Sequence, residues 1–209
     1  MLAMTFSTGV VDAVGYLGLD RVFTGNMTGN VVILAMALTG ADGLPVIGPI
    51  IALVLFIAGA AIAGRTLKGL PAGWSNRTTV LFAGVAVLIA AVVVVAFAAV
   101  HRPEWLTYGI TGALGLAMGA QAGAARHIGV ADVTTVVVTS TLVGLAFDSR
   151  FGRGAAGHPW ARRAGAIVLL GCGAACGALL LNLGLGWAAL LAALVTAGVA
   201  VLGAVGRPH

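Results

Sequence analysis

The sequence predicts an all-α polytopic membrane protein. It would have about six full transmembrane helices plus two broken or re-entrant polar segments, arranged in two related, inverted halves. Three observations carry that prediction. Sixty per cent of the 209 residues are hydrophobic and only 8% are charged, about a third of the ~25% found in soluble domains. Mean hydropathy is +1.10. The apolar residues gather into eight segments, most of them near the ~20 residues that a span needs. Two of the eight are polar, rich in glycine and similar to each other. This composition excludes soluble-enzyme and nucleic-acid-binding classes.

The segments fall at about 2–19, 22–40, 45–64, 78–100, 105–128, 130–147, 164–182 and 184–206. Those at 45–64, 78–100, 105–128, 164–182 and 184–206 read as full spans, and 2–19 reads as a short one. Segment 22–40 opens with Thr24, Gly25, Asn26, Thr28, Gly29 and Asn30. Segment 130–147 contains Asp132, Thr134, Thr135, Thr139, Ser140 and Thr141. Such backbone is tolerated at membrane depth only when it is buried in protein or lines a wet cavity.

Basic residues then orient the chain. The net charge is +5, but the basic residues form no stripe interleaved with aromatics, so no nucleic-acid partner is expected. They sit mainly in two loops: Arg65, Lys68 and Arg77, then Arg150, Arg153, Arg162 and Arg163. Eight full spans would put these loops on opposite sides of the bilayer. Six full spans put them on one side together with Arg207, as the positive-inside rule requires. Both termini are therefore expected in the cytoplasm, in the plasma membrane. The N-terminus has no basic region, and Asp12 interrupts its apolar stretch, so no cleavable signal is evident.

The two polar segments align at an offset of 111: Gly18 with Gly129, Thr24 with Thr135, Thr28 with Thr139, and Val32, Leu34 and Ala35 with Val143, Leu145 and Ala146. Half one covers about 1–100 and half two about 101–209 of a single transmembrane domain. An odd number of spans per half inverts the second half. Inverted repeats with interrupted helices near the midplane recur in secondary transporters.

The candidate site residues lie in and around those segments. Asp12 sits inside an apolar helix, where a charge costs at least ~2.5–3.5 kcal/mol unless something compensates it. A cation, a proton or a basic solute group would do so. A structural role, capping a neighbouring helix or lying near the interface, is the plain alternative. Tyr16 is one turn on, on the same face. Asn26, Thr28 and Asn30 offer hydrogen bonds without a charge, and a half-helix starting there would aim its amides at a ligand. Thr28 or Asn30 could equally serve as an N-cap. Gln121, Arg126, Thr135 and Thr139 are the second-half candidates. Arg126 either pairs with Asp12 or anchors at the interface, and the threonines could simply back-bond to helix carbonyls.

Gly115, Gly119 and Gly123 form a stripe suited to close helix packing. It could lie inside the chain or at a homodimer interface. Cys172 and Cys176 share a helix face and read as small core residues. No metal site or cofactor is expected. His101, His127, His158 and His209 are scattered without ligand spacing, and no zinc pair, nucleophile elbow or phosphate loop occurs. The chain is not expected to be an enzyme.

The pattern Gly9-x-x-Asp12-Ala13-x-x-Tyr16-Leu17-x-Leu19, then Phe23, then Thr28-Gly29-Asn30, resembles the YoaK-like bacterial membrane family of unknown function. So does Ala117-Met118-Gly119-x-Gln121, followed by Arg126, Thr134-Thr135 and Thr139. The resemblance covers essentially the whole chain. Two departures stand out: Thr139-Ser140-Thr141 replaces a Thr-Gly-Thr-like element, and Ala122 stands where the family often has Asn. The resemblance implies a multi-span inner-membrane protein and supplies no substrate.

The function these readings favour is a secondary transporter or channel-like permease for a small solute or ion. Its partners would be the bilayer and that solute. The alternative is a non-transporting scaffold with a purely structural polar core.

Overall fold

Long apolar runs become long helices, because a helix satisfies its own backbone groups where no water can do so. The computed structural model describes residues 2–99, 101–129, 136–147 and 160–206, and every regular element among them is an α-helix. In chain order these are α1 (Leu2–Gly18), α2 (Met27–Leu38), α3 (Ile47–Leu67), α4 (Asn76–Ala98), α5 (Glu104–Ile128), α6 (Val136–Phe147), α7 (Trp160–Leu181) and α8 (Leu185–Val205). Their ends carry recognisable stops. Ser75 and Thr78 form a capping box at the start of α4. Gly129 takes the left-handed conformation that closes α5, and Gly184 turns the chain between α7 and α8 at φ 126°.

Four helices, α3, α4, α7 and α8, are long and apolar enough to cross a membrane. At 1.5 Å per residue they measure about 31–35 Å, against ~30 Å of hydrocarbon. The two polar segments behave differently. In the first, helix does not begin until Met27, and α2 has 12 residues; in the second, the described helix is α6, Val136–Phe147. Helix α2 is about 18 Å long, little more than half of the bilayer core.

The helices pack in pairs: α1 along α7, α3 along α5, and α4 along α8. Glycines set the first two contacts. A Cβ on Gly9 would collide with the Leu170 carbonyl oxygen, and one on Gly173 with that of Phe6. Between α3 and α5, a Cβ on Gly59 would collide with the Leu116 carbonyl oxygen, and one on Gly119 with that of Phe56. Backbone thus meets backbone, as small-residue interfaces permit. The Gly115, Gly119 and Gly123 stripe is accordingly filled by α3 of the same chain.

Val10, Val14, Ile89, Leu114, Leu185 and Ala192 sit in the main core, shared by α1, α4, α5 and α8. Trp74 stacks on Phe82 at one end of a second cluster. Outward faces are apolar too: Ile50, Val54 and Ile57 on α3, Val80, Val87 and Val94 on α4, and Leu194, Val201 and Leu202 on α8 are all exposed. Rows of this kind suit contact with lipid and would be an aggregation hazard in water. Cys172 is exposed and Cys176 half-buried, both as free thiols, so Cys172 is not the core residue its apolar setting suggested.

Candidate polar site at the α1–α2 break

After Gly18 the chain reverses through Asp20 and Arg21, which hold left-handed conformations at φ 75° and 56°. Each costs a non-glycine residue about 1–2 kcal/mol, so contacts elsewhere must hold the turn. The Leu19 and Val22 amides both donate to the Gly15 carbonyl, at 3.2 and 3.3 Å. Val22 lies so close over α1 that a Cβ on Gly15 would collide with its carbonyl oxygen.

Residues 22–26 then run back along the middle of α1 without forming helix. Their backbone groups need partners, and two side chains supply most of them. Asp12 is the first. Its Oδ1 accepts from the amides of Gly25 at 2.7 Å, Thr24 at 3.1 Å and Asn26 at 3.3 Å. Consecutive amides form an anion-binding concavity, and here the anion belongs to the chain itself. The Thr24 hydroxyl adds a bond to the Val11 carbonyl at 3.2 Å. Asn30 is the second. Its Oδ1 accepts from the Phe23 amide at 2.9 Å, and its Nδ2 donates to the Phe23 carbonyl at 2.6 Å. Asn30 is fully buried, and it pins the break to the first turn of α2.

Asn26 caps that helix, its side-chain oxygen accepting from the Gly29 amide at 3.2 Å. Gly29 leaves room for the ring of Phe23, which stacks on Tyr16 with centroids 4.9 Å apart. Asp12, Tyr16, Asn26 and Asn30 therefore belong to one assembly. Thr28 lies in the same first turn but faces outward.

Gln121 reaches this assembly from α5. It is buried, and its Nε2 donates to Thr8 Oγ1 at 3.1 Å. Thr8 donates its own proton to the Met4 carbonyl at 3.0 Å. The Thr8 methyl also lies where a Cβ on Gly25 would fall, beside both oxygens of Asp12. Thr8 thus joins Gln121 to the carboxylate. Sequence reading overlooked it, although its spacing of four from Asp12 places both on one helix face. It also overlooked Ser7, whose hydroxyl meets that of Thr196 at 3.2 Å across α1 and α8. Arg126 is exposed near the end of α5 and forms no ion pair with Asp12. Thr139 is exposed on α6. Thr135, like Asp132, Thr134, Arg150, Arg153 and Arg207, lies outside the described residues.

Helices with lipid-compatible faces, four of them long enough to span, and a polar break held by buried side chains define an all-α, multi-pass membrane protein. Comparison with known proteins gives the family. The chain belongs to the one described as "Protein of unknown function (DUF1275)", which matches residues 1–202. It is 32% identical over 146 residues to the UPF0700 transmembrane protein YoaK of Bacillus subtilis (strain 168). That alignment covers 69% of this chain and 64% of the relative, so just under two thirds of the relative's length is matched. No solved structure matches.

Proposed function

We propose that the chain is a secondary transporter or channel-like permease for a small solute or ion in the plasma membrane. It would act without chemical change to the solute. Six helices (α1, α3, α4, α5, α7 and α8) would cross fully, with both termini in the cytoplasm. The site would lie near the midplane, between two inverted halves.

The observation that carries this reading is the matching register of the two glycine-packed helix pairs. Adding 110 to Phe6 and Gly9 of α1 gives Leu116 and Gly119 of α5; adding 114 to Phe56 and Gly59 of α3 gives Leu170 and Gly173 of α7. The collision of Gly9 with Leu170 then corresponds to that of Gly119 with Phe56. Likewise Gly173 with Phe6 corresponds to Gly59 with Leu116. Each half also carries a further helix in the corresponding place, α2 between α1 and α3 and α6 between α5 and α7. Paired halves with interrupted helices are the usual framework of midplane solute sites. Asp12, the eleventh residue of α1, is about 15 Å along that helix, a depth that suits such a site.

The scaffold reading has one observation behind it: Asp12 Oδ1 is already engaged by three backbone amides. A thermal-stability screen of the detergent-purified chain separates the two. The panel is amino acids, organic acids, nucleobases, amines and inorganic ions. A solute at 100 times its dissociation constant stabilises by about 2.7 kcal/mol, and that solute should then cross proteoliposomes containing the protein. A folded protein that no solute stabilises, in vesicles no more permeable than empty ones, would overturn the transport reading.

A further inference from the structure

We infer that Asp12 and Gln121 form an acceptor-lined site for a primary ammonium group, carried by ammonium itself or by an amine-bearing solute. This inference rests on the transport reading and narrows its substrate class. Its first support is the unequal use of the two oxygens of Asp12. Oδ1 takes all three amides, while Oδ2 accepts no hydrogen bond among the described residues. No basic side chain pairs with the carboxylate there. A buried charge with no counter-charge calls for a partner of opposite sign.

Gln121 is the second, independent support. Gln121 is only 6% exposed, yet among the described residues its Oε1 has no hydrogen-bond partner. The orientation of the amide follows from Thr8. The Thr8 proton is committed to the Met4 carbonyl, so Thr8 can only accept from Gln121. Nε2 must therefore face Thr8, and the acceptor Oε1 is left over. Thr8 and Asp12 are one helical turn apart on one face, so Gln121 meets α1 one turn from the carboxylate.

The chemistry then selects the ligand. Both vacant groups are acceptors, so an anion or a carbonyl finds nothing to bind. A primary ammonium offers three N–H donors and needs no donor in return. Its charge would neutralise Asp12, and its remaining proton could use the second lone pair of Thr8. A bare metal cation demands about six oxygens, more than these side chains offer. A quaternary ammonium has the charge but no N–H to give.

The test measures thermal unfolding of the full purified chain at fixed ionic strength in ammonium, methylammonium, n-butylammonium, tetramethylammonium and sodium chlorides. Saturable stabilisation by ammonium or the primary amines, exceeding that by tetramethylammonium and sodium, is expected. A response to ammonium alone would assign the site to the ion, and a response to butylammonium as well to amine-bearing solutes. Asp12 also holds the break, so the deciding variant is Gln121→Met, whose folding is checked in sodium chloride. It should weaken the apparent affinity about tenfold, as for loss of one hydrogen bond to a charged group. Equal stabilisation by all five salts, or an unchanged response in Gln121→Met, would overturn the ammonium site. Flux of some other solute through proteoliposomes would then leave the transport reading standing alone.

Discussion

Replacing Asp12 by leucine removes the acceptor that three backbone amides share, so the break between α1 and α2 should be the first part of the molecule to suffer. Thr24 and Gly25 are buried, and each buried donor left without an acceptor costs about 1–3 kcal/mol. Asn26 is half-buried and can find another partner. Two stranded amides therefore cost about 2–6 kcal/mol. Removing a buried charge returns part of this, so the lower half of the range is expected. Asp12→Asn keeps an oxygen in the same place and loses only the charge assistance, about half of each bond. Its cost should be about 1–2 kcal/mol. At roughly 2–4 °C per kcal/mol for a chain of this size, leucine should lower the melting temperature by about 4–16 °C and asparagine by about 2–8 °C. Intrinsic fluorescence of the detergent-solubilised protein, with Trp74 and Trp187 in the packed α4 and α8 region, can follow the unfolding. A leucine variant as stable as the wild type, or more stable than the asparagine variant, would refute the claim that this carboxylate holds the break.

Asn30→Ala strands the amide and carbonyl of Phe23 together, and should cost about 2–4 kcal/mol in the same melting assay; a loss below about 0.5 kcal/mol would show that the clamp is idle. Gly9→Ala and Gly119→Ala each push a Cβ into a backbone carbonyl across a helix pair, so each should destabilise by about 1–3 kcal/mol. The two values should agree within about 1 kcal/mol if the pairs are equivalent, and a large disparity would count against the repeat. Lys68→Cys and Arg162→Cys, made in a chain lacking Cys172 and Cys176, should react with a membrane-impermeant maleimide from the cytoplasmic side only. Reaction from opposite sides would mean an odd number of crossings between the two positions, with α6 also spanning, and would exclude the six-span arrangement.

Much of this architecture is legible in the sequence because hydropathy is a strong signal when a bilayer is the solvent. The expected segment 78–100 is the helix Asn76–Ala98, and 184–206 is Leu185–Val205. The first polar segment is legible as an interruption, but not where helix resumes within it. That depends on which side chain takes the Asn26 to Asn30 amides. Composition marks Asp12 as unusual by its cost alone. It cannot say that the partners are the amides twelve to fourteen residues later, because that requires the left-handed turn at Asp20 and Arg21. Thr8 stayed hidden for a different reason. A threonine in an apolar helix usually bonds back to its own turn, as this one does to Met4, and its acceptance of Gln121 emerges only when α1 and α5 are brought together. The expectation that Cys172 is core failed because apolar surroundings in sequence cannot distinguish a protein-facing position from a lipid-facing one.

The register of the paired helices also bears on why Asp12 has no twin. The offset that relates Gly9 to Gly119 relates Asp12 to Ala122, whose methyl group can accept no amide. Within the repeat proposed here, the two halves share a backbone plan but not its chemistry. The first break is gathered onto a carboxylate, and any second-half contribution must come from neighbours such as Gln121, one residue away and already turned towards Thr8 of α1. A cation bound to Asp12 would therefore sit off the axis of symmetry, on the first-half side, with the second half supplying a neutral carbonyl. That arrangement gives a single site per chain. Two symmetric carboxylates facing each other at midplane would repel, and each would need its own counter-charge. One carboxylate and one amide accept one positive charge and leave the site neutral when it is filled.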